Sequence, residues 1–329
     1  MTGFLLRRFC WFLVTTWIVI TISFFLMRAV PGGPFDTDRT VNAAIERNMK
    51  ARYHLDWSPW KQYVQYLGPF NLDEETGAKF AGGDGSATFG GLLTGDFGPS
   101  FKYRDFSVND IIGQSLPISV ALGTVAMFWA LLLGLSAGIL SAVWRGSTSD
   151  LGIRLVSTIG IAVPNFIVAL FLITLFVFKI DLFPVAGWGS LRHLFLPGLA
   201  LGGPFAAYVA RLTRTGMLEV LSQEYIRTAY AKGLSPAKVL MRHALQGGLL
   251  PVVSFLGPAT AGILTGSLVI ERIFAIPGTG SHFVNSALNR DYTLAMGVTI
   301  LYTVLVYGLN TIVDLAYTFL DPRIKLEEA

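Results

Sequence analysis

A cluster of basic side chains marks the longest polar interruption in the C-terminal two thirds of the chain, the stretch from Glu224 to Pro251. The four cations are Arg227, Lys232, Lys238 and Arg242. Side chains of this type offer electrostatic contacts to a partner surface. The elements that hold them decide which partner that is.

The residues around these cations predict two short helices joined by a tight turn. The segment 225–232 contains no helix breaker and includes two alanines, which favours a helix. Gly233 suits the C-terminal end of that helix. Ser235 can cap the next helix, and Pro236 fits its first turn.

Three interpretations of this unit are compatible with its size and charge. A helix-turn-helix that reads DNA is the first, but apolar segments on both sides argue against nucleic acid as a partner. A basic cytoplasmic loop of a membrane protein needs no further function, because such loops carry an excess of Lys and Arg. A docking module, whose small residues let a partner protein approach closely, is the third. Charge placement alone leaves the last two open.

Other residues that could do chemistry are scattered along the sequence. Cys10 is the single cysteine, and none of the four histidines belongs to a pair with metal-ligand spacing. The sequence has no Gly-x-x-x-x-Gly-Lys-Ser/Thr loop for ATP. Asp314 is the main ionisable group inside an apolar segment. We interpret it as paired near the inner interface, with the proton relay of an ion-coupled secondary carrier as the alternative. We predict no metal, no cofactor and no enzymatic centre.

The elements that carry these residues are predicted to be membrane helices. Hydrophobic residues make up 53% of the 329 and charged residues 14%, and the mean hydropathy is +0.56. About 20 apolar residues suffice to span a bilayer, which predicts an all-α integral membrane protein with six transmembrane helices. The predicted spans are residues 9–30, 116–143, 155–178, 194–210, 247–270 and 293–319.

The distribution of basic residues predicts the orientation of the spans. Twelve Lys and Arg fall in the inner segments and four in the two short outer loops, the long polar region being set aside. The positive-inside rule then places both termini in the cytoplasm. The predicted organisation is an N-terminal span (1–30), an extracytoplasmic segment (31–115), a five-helix core (116–319) with a cytoplasmic loop at 211–246, and a cytoplasmic tail (320–329).

Prolines interrupt several predicted spans. Pro164 and Asn165 lie in the middle of the third span, Pro204 in the fourth and Pro258 in the fifth. A proline at such depth removes a backbone hydrogen bond, which neighbouring groups or water must replace. Two interpretations stay open, a structural kink and a break that lines a path through the membrane or acts as a hinge.

The polar segments resemble those of a known family. Arg227-Thr-Ala-Tyr-Ala-Lys-Gly-Leu234, followed by Leu-Leu-Pro251, is similar to the cytoplasmic coupling loop of binding-protein-dependent ATP-binding-cassette importers. The similarity is greatest to the oligopeptide and dipeptide branch of these permeases, although Tyr230 stands where that branch usually has Arg.

The resemblance extends over most of the chain. Gly95–Asp110 resembles the segment ahead of the second membrane helix in the B subunit of oligopeptide permeases, and Pro277–Gly280, Asn289–Tyr292 and Asp321–Arg323 also match the family. The Gly-rich residues near 77–91 look like an insertion relative to the family pattern.

The resemblance implies a permease subunit of an ATP-driven importer in a bacterial inner membrane. Its implied partners are a second homologous permease subunit, two cytoplasmic ATPase subunits that use the ATP, an extracytoplasmic peptide-binding protein and membrane lipid. It implies alternating access, in which closure of the ATPase dimer moves the spans through the coupling loop. Oligopeptides are the expected cargo, with dipeptides, glutathione or nickel as alternatives in the same family.

The resemblance also implies which residues contact the ATPase subunits. Thr228, Ala229 and Gly233 are expected to form a close-approach surface, with Glu224, Arg227 and Lys232 as polar contacts. Gly233 is expected to be the most sensitive of them, because a side chain there would disturb both the turn and the fit.

Overall fold

The computed structural model describes residues 2–30, 32–34, 50, 53–68, 91–103 and 106–320, which are almost entirely helical. The helices are α1 (Thr2–Ala29), α2 (Pro59–Leu67), α3 (Val108–Val143), α4 (Thr148–Ala162), α5 (Asn165–Lys179), α6 (Leu191–Leu221), α7 (Glu224–Ala231), α8 (Pro236–Gly248), α9 (Leu250–Ile273), α10 (Thr279–Leu288) and α11 (Tyr292–Leu320). The Gly-rich residues 77–90, most of the preceding polar segment and the tail at 321–329 lie outside the described residues.

Several of these helices can cross a membrane. By length and composition, α1, α3, α6 and α11 each suffice as a single span. The pairs α4 with α5 and α8 with α9 meet the same criteria when each is taken as one bent span, which brings the total to six. The prediction of an all-α integral membrane protein is therefore confirmed.

The third predicted span is broken rather than kinked. α4 ends at Ala162, α5 begins at Asn165, and the two helices are bent by 109°. Pro164 lacks an N–H and disfavours a helical conformation in the residue before it, so Val163 is extended (φ −83°, ψ 124°). α4 also begins at Thr148, about two turns before the predicted start of this span.

The fourth predicted span is too short. α6 runs without interruption through Pro197 and Pro204, and the predicted cytoplasmic loop at 211–246 begins as the last turns of this helix. Packing against neighbouring helices can offset the hydrogen bond that an internal proline removes. Pro258 likewise lies inside the unbroken helix α9. The role of Pro204 and Pro258 as hinges stays a prediction.

The chain forms two compact units, and the second comprises Ile118–Gly280 with the described residues from Val306 onward. α6 lies at its centre and packs closely against α3. A Cβ at Gly134 or Gly138 of α3 would lie within 2.6 Å of side-chain atoms of α6, so the two helices need glycine to approach this closely. The buried core around them includes Leu122, Leu196, Leu201, Ile263 and Ile270.

The first unit comprises the described residues up to Pro117 together with Ser281–Leu305, and two polar segments meet inside it at Asp291. The Asp291 side chain is buried and accepts hydrogen bonds from Ser100 Oγ and from the N–H of Phe101 at 3.2 Å. It also accepts from the N–H of Leu294 at 3.2 Å and so caps α11. The segments around Asp291 and Ser100 are therefore parts of one local structure.

Candidate functional site

Helix α7 presents one exposed polar face. Glu224, Arg227, Thr228 and Ala231 recur at positions i, i+3, i+4 and i+7, which places them along one side of a helix, and all four are exposed. Arg227 Nη1 lies 3.1 Å from Glu224 Oε1. An exposed ion pair of this kind contributes little to stability, so both side chains are available for contacts to a partner.

The opposite face of α7 packs into the protein. Ile226 and Ala229 are buried in an apolar cluster with Met217 of α6 and with Val239 and Ala244 of α8. Ala229 is only 7% exposed, so the prediction that it belongs to a close-approach surface does not fit its position. Its small side chain instead lets α7 lie close to its neighbours within the chain.

The turn after α7 depends on Gly233. The N–H of Leu234 donates to the carbonyl of Ala229 at 3.3 Å, and the N–H of Gly233 donates to the carbonyl of Tyr230 at 2.9 Å. These two bonds form a Schellman motif, which needs a left-handed residue after the helix. Gly233 has a φ of +78°, and a Cβ there would have no heavy atom within 4 Å. The predicted stop at Gly233 is confirmed, and the space beside it is open.

Three exposed residues of α7 were not among the predicted contacts, namely Tyr225, Tyr230 and Ala231. Ala231 continues the polar face as its fourth position, and Tyr230 presents an exposed ring next to it. The spacing of Ile226 and Ala229 carried the signal for this orientation. Two apolar residues three apart define the buried side of a short helix, and the other side must then face outward.

The second predicted short helix is part of a longer element. α8 begins with Pro236 after Ser235, as predicted, although Ser235 makes no side-chain capping bond. The helix then passes through a π turn and meets α9 at a bend of 51°. Lys238 and Arg242 are exposed along it. The basic side chains therefore stand on α7, its turn and α8, and α8 leads directly into α9.

A buried carboxylate, Asp150, joins the helices beside this unit. Its side chain is 1% exposed and receives Nε and Nη2 of Arg214 at 2.8 and 3.0 Å, a bidentate geometry. Ser141 Oγ donates to it at 2.5 Å and the N–H of Gly146 at 3.0 Å. Ala142, next to Ser141, packs in the apolar cluster under α7. Asp150 thus ties α3, α4 and α6 together where they support α7.

Asp150→Ala is expected to lower the midpoint of thermal unfolding by several degrees. Arg214, whose side chain is 22% exposed, would lose its bidentate partner, and Ser141 would lose its acceptor. Tryptophan fluorescence of the purified chain in detergent measures this midpoint. A charged Arg214 without its partner destabilises the fold more than an uncharged side chain does. The double variant Asp150→Ala with Arg214→Met should therefore unfold at a higher midpoint than Asp150→Ala alone. A decrease in midpoint of the double variant that equals the sum of the decreases in Asp150→Ala and Arg214→Met would contradict this account.

A second buried carboxyl group, that of Glu271, was not identified from the sequence. Glu271 is 0% exposed, and its Oε1 accepts from Ser119 Oγ at 2.7 Å and Ser267 Oγ at 2.8 Å. The N–H of Thr279 donates to Ser119 Oγ at 2.8 Å. A Cβ on Gly278 would lie 2.5 Å from the carboxyl group. The segment after α9 is therefore anchored inside the second unit by a residue that the sequence places merely at the end of an apolar run.

The remaining predicted residues lie apart from α7 in the chain. Pro164 lies in the break between α4 and α5, and Asn165 is the first residue of α5. Pro204 lies inside α6, and Pro258 lies inside α9. None of the four packs in the apolar cluster under α7. Within the described part of the chain, no three His, Cys, Asp or Glu side chains lie close enough together to hold a metal ion.

Comparison with known proteins places this arrangement among membrane transport components. The oligopeptide transport system permease protein OppB of Escherichia coli (strain K12) is 42% identical over 327 residues, covering 99% of this chain and 100% of the relative. The dipeptide transport system permease protein DppB of Bacillus subtilis (strain 168) is 42% identical over 328 residues, covering 100% and 99%.

A solved structure has a similar fold, and a family description matches the core of the chain. The MetNI methionine ABC transporter in an inward-facing conformation matches with a TM-score of 0.56 at 18% identity, covering 64% of this chain and 96% of the other. Residues 134–326 match the family described as "Binding-protein-dependent transport system inner membrane component". This chain therefore belongs to the family of inner-membrane components of binding-protein-dependent transport systems.

Proposed function

We propose that this chain is a permease subunit of an ATP-driven importer that carries oligopeptides across the inner membrane. The observation that carries the proposal is the exposed polar face of α7, which ends in the Gly233 turn and stands on a chain that is similar to an oligopeptide permease along its whole length. A membrane-embedded chain needs such a surface if its energy comes from outside the membrane.

ATP hydrolysis is proposed to take place in separate subunits. The sequence has no phosphate-binding loop of the Gly-x-x-x-x-Gly-Lys-Ser/Thr type, and the family to which the chain belongs supplies membrane components. We propose that the chain itself binds no cofactor. The energy of ATP then reaches it only through contacts with an ATPase.

The proposed partners are two cytoplasmic ATPase subunits, an extracytoplasmic peptide-binding protein and a second, homologous permease. The pairing of α7 with an ATPase is supported by its exposed face, Glu224, Arg227, Thr228 and Ala231, and by Lys232 and Gly233 beyond it. The need for a binding protein follows from the name of the family. A second permease is proposed from the resemblance of the sequence to importers that use two.

Motion at α7 is proposed to reach the spans through the apolar cluster beneath it. Ile226 and Ala229 pack against α6 and α8, so a push on α7 acts on two elements at once. α6 is a single 31-residue helix, and α8 leads into α9. An ATPase can shift the permease between two states only if it docks more tightly to one of them. The polar face of α7 is where that difference would arise.

ATP-dependent uptake of oligopeptides by proteoliposomes is the expected result when the chain is reconstituted with its partner subunits and binding protein. The matched assay supplies dipeptides, glutathione and nickel separately at the same concentration. Dipeptides are the strongest second candidate, because the dipeptide permease relative is also 42% identical to this chain. If dipeptides are taken up and oligopeptides are not, the cargo is dipeptides. Uptake that persists without ATP would contradict the proposed energy source.

A mild-detergent pull-down of the tagged chain from its native membrane tests the partners. We expect recovery with a second permease and two ATPase subunits. Recovery of the chain alone, together with uptake that needs no ATP, would contradict the importer assignment. Asp314 would then have to be tested as the proton relay of a secondary carrier.

A further inference from the structure

A pocket of about 300 Å³ opens between α4 and α6 in the second unit. This volume is at the lower end of the range for small-molecule sites, ~300–1,000 Å³. Its walls combine guanidinium groups with aliphatic side chains. The main lining residues are Arg154, Arg211 and Arg214 on the polar side and Leu151, Leu155 and Ile161 on the apolar side.

The charge of the pocket is unbalanced. Three guanidinium groups line the pocket beside a single carboxylate, that of Asp150, which Arg214 contacts at 2.8 Å and Arg154 at 3.4 Å. The Arg211 guanidinium lies over the ring of Tyr208 at 5.1 Å, and it forms no ion pair with any residue that the structure describes. Counting charges, three cations against one anion leave a net charge of +2. The pocket therefore favours an anionic ligand.

An apolar stripe begins in the pocket wall and continues along α4. Leu151, Leu155 and Ile159 stand on successive turns and are 50%, 55% and 60% exposed. They cover ~12 Å of the helix at 1.5 Å per residue. α4 belongs to one of the bent pairs that can span a membrane. A cationic, anion-binding site thus adjoins a surface suited to a hydrocarbon chain.

We propose that this pocket binds the headgroup of an anionic phospholipid, with its phosphate on Arg154 and Arg211 and an acyl chain along the α4 stripe. The guanidinium fork of arginine matches phosphate oxygens in a bidentate way, and basic pockets between membrane helices are suited to anionic headgroups. Arg214 remains with Asp150 and shapes the pocket. A peptide carboxylate would satisfy the cations but would leave the aliphatic stripe unused. The proposal does not depend on the cargo of the transporter.

Phospholipid retention by the assembled complex tests this site. The complex is exchanged into nanodiscs that contain phosphatidylglycerol and phosphatidylcholine, and native mass spectrometry counts the lipids that remain bound. We expect retention of phosphatidylglycerol in preference to phosphatidylcholine. Arg154→Gln and Arg211→Gln should each reduce this preference by about fivefold, the effect expected of one arginine near an anionic membrane surface. Arg145→Gln is the matched control, because Arg145 is exposed and lies outside the pocket.

Four results would overturn the proposal. The first is equal retention of the two lipids by the unmodified complex, and the second is an equal loss of preference in Arg145→Gln. The third comes from a photoactivatable phosphatidylglycerol analogue, which should label residues 151–158 or 210–215 of the chain. Labelling elsewhere would mean that another subunit covers the pocket. Displacement of the analogue by an anionic peptide would assign the pocket to a peptide instead.

Discussion

Replacing Gly278 by alanine is expected to destabilise the second unit by about 3 kcal/mol, because the new methyl group would meet a carboxyl group that cannot move away. The position of that Cβ lies 2.5 Å from the carboxyl carbon of Glu271 and 2.5 and 2.6 Å from its oxygens. Glu271 has no exposed surface, and hydrogen bonds from Ser119 and Ser267 hold it. Moving it would leave buried hydroxyl groups without their acceptor, which adds to the cost of overpacking.

The midpoint of thermal unfolding in detergent measures this effect, and a decrease of roughly 5 °C or more is expected. Gly203→Ala is the matched control. Gly203 lies inside α6 in the same unit, and a Cβ there would have no heavy atom within 4 Å. The midpoint of thermal unfolding of Gly203→Ala should therefore not fall. Gly278→Ala should also cost little in a chain that already carries Glu271→Ala, because the atoms that clash are then absent. An equal loss in both backgrounds would contradict this explanation.

The part of the fold most predictable from the sequence was α7 with the turn at Gly233 and the start of α8, because its geometry is set by neighbouring residues. Helix-forming residues before Gly233, the glycine itself and Pro236 two residues beyond Leu234 each act over a few positions of the chain. The structure places the helix, the turn and the start of the next helix where those residues predict them. The spacing of Ile226 and Ala229 also carried the signal for the inward side of α7, but the prediction did not use it and placed Ala229, which is buried, on the contact surface.

Features that depend on contacts distant in sequence could not be predicted. Pro197 and Pro204 indicate interruptions when α6 is considered alone, but the helix is continuous, and its residues Gly198 and Gly202 lie close against Val125 and Ala126 of α3. Glu271 marks only the end of an apolar run until the fold brings Ser119 of α3 to its carboxyl group. In the first unit, Asp291 is one of several acidic residues in sequence and becomes a buried hydrogen-bond centre only beside Ser100. A pattern within one segment carries no information about such partners.

Replacing Gly233 by asparagine is expected to reduce ATP-driven import by about tenfold or more while the chain remains folded and inserted. Asparagine tolerates the left-handed conformation better than other residues with a side chain, so the Schellman turn can persist. The added amide would project into the open space beside Gly233, which is where an ATPase would approach α7. A tenfold effect corresponds to roughly 1.4 kcal/mol of lost docking free energy. Uptake and ATPase stimulation are measured in the same proteoliposomes.

Gly146→Asn is the matched control that separates docking from backbone strain. Gly146 has a φ of +81°, compared with +78° at Gly233, and a Cβ at either position would have open space around it. Both residues are exposed, but Gly146 lies between α3 and α4 and not on the turn after α7. If the strain of a left-handed residue caused the loss, both variants would lose import and show similar midpoints of thermal unfolding. Loss of import in Gly233→Asn alone, with equal midpoints, would assign the effect to contact with the ATPase. If Gly233→Asn imports at the unmodified rate, the turn at Gly233 does not contact the ATPase in the way proposed.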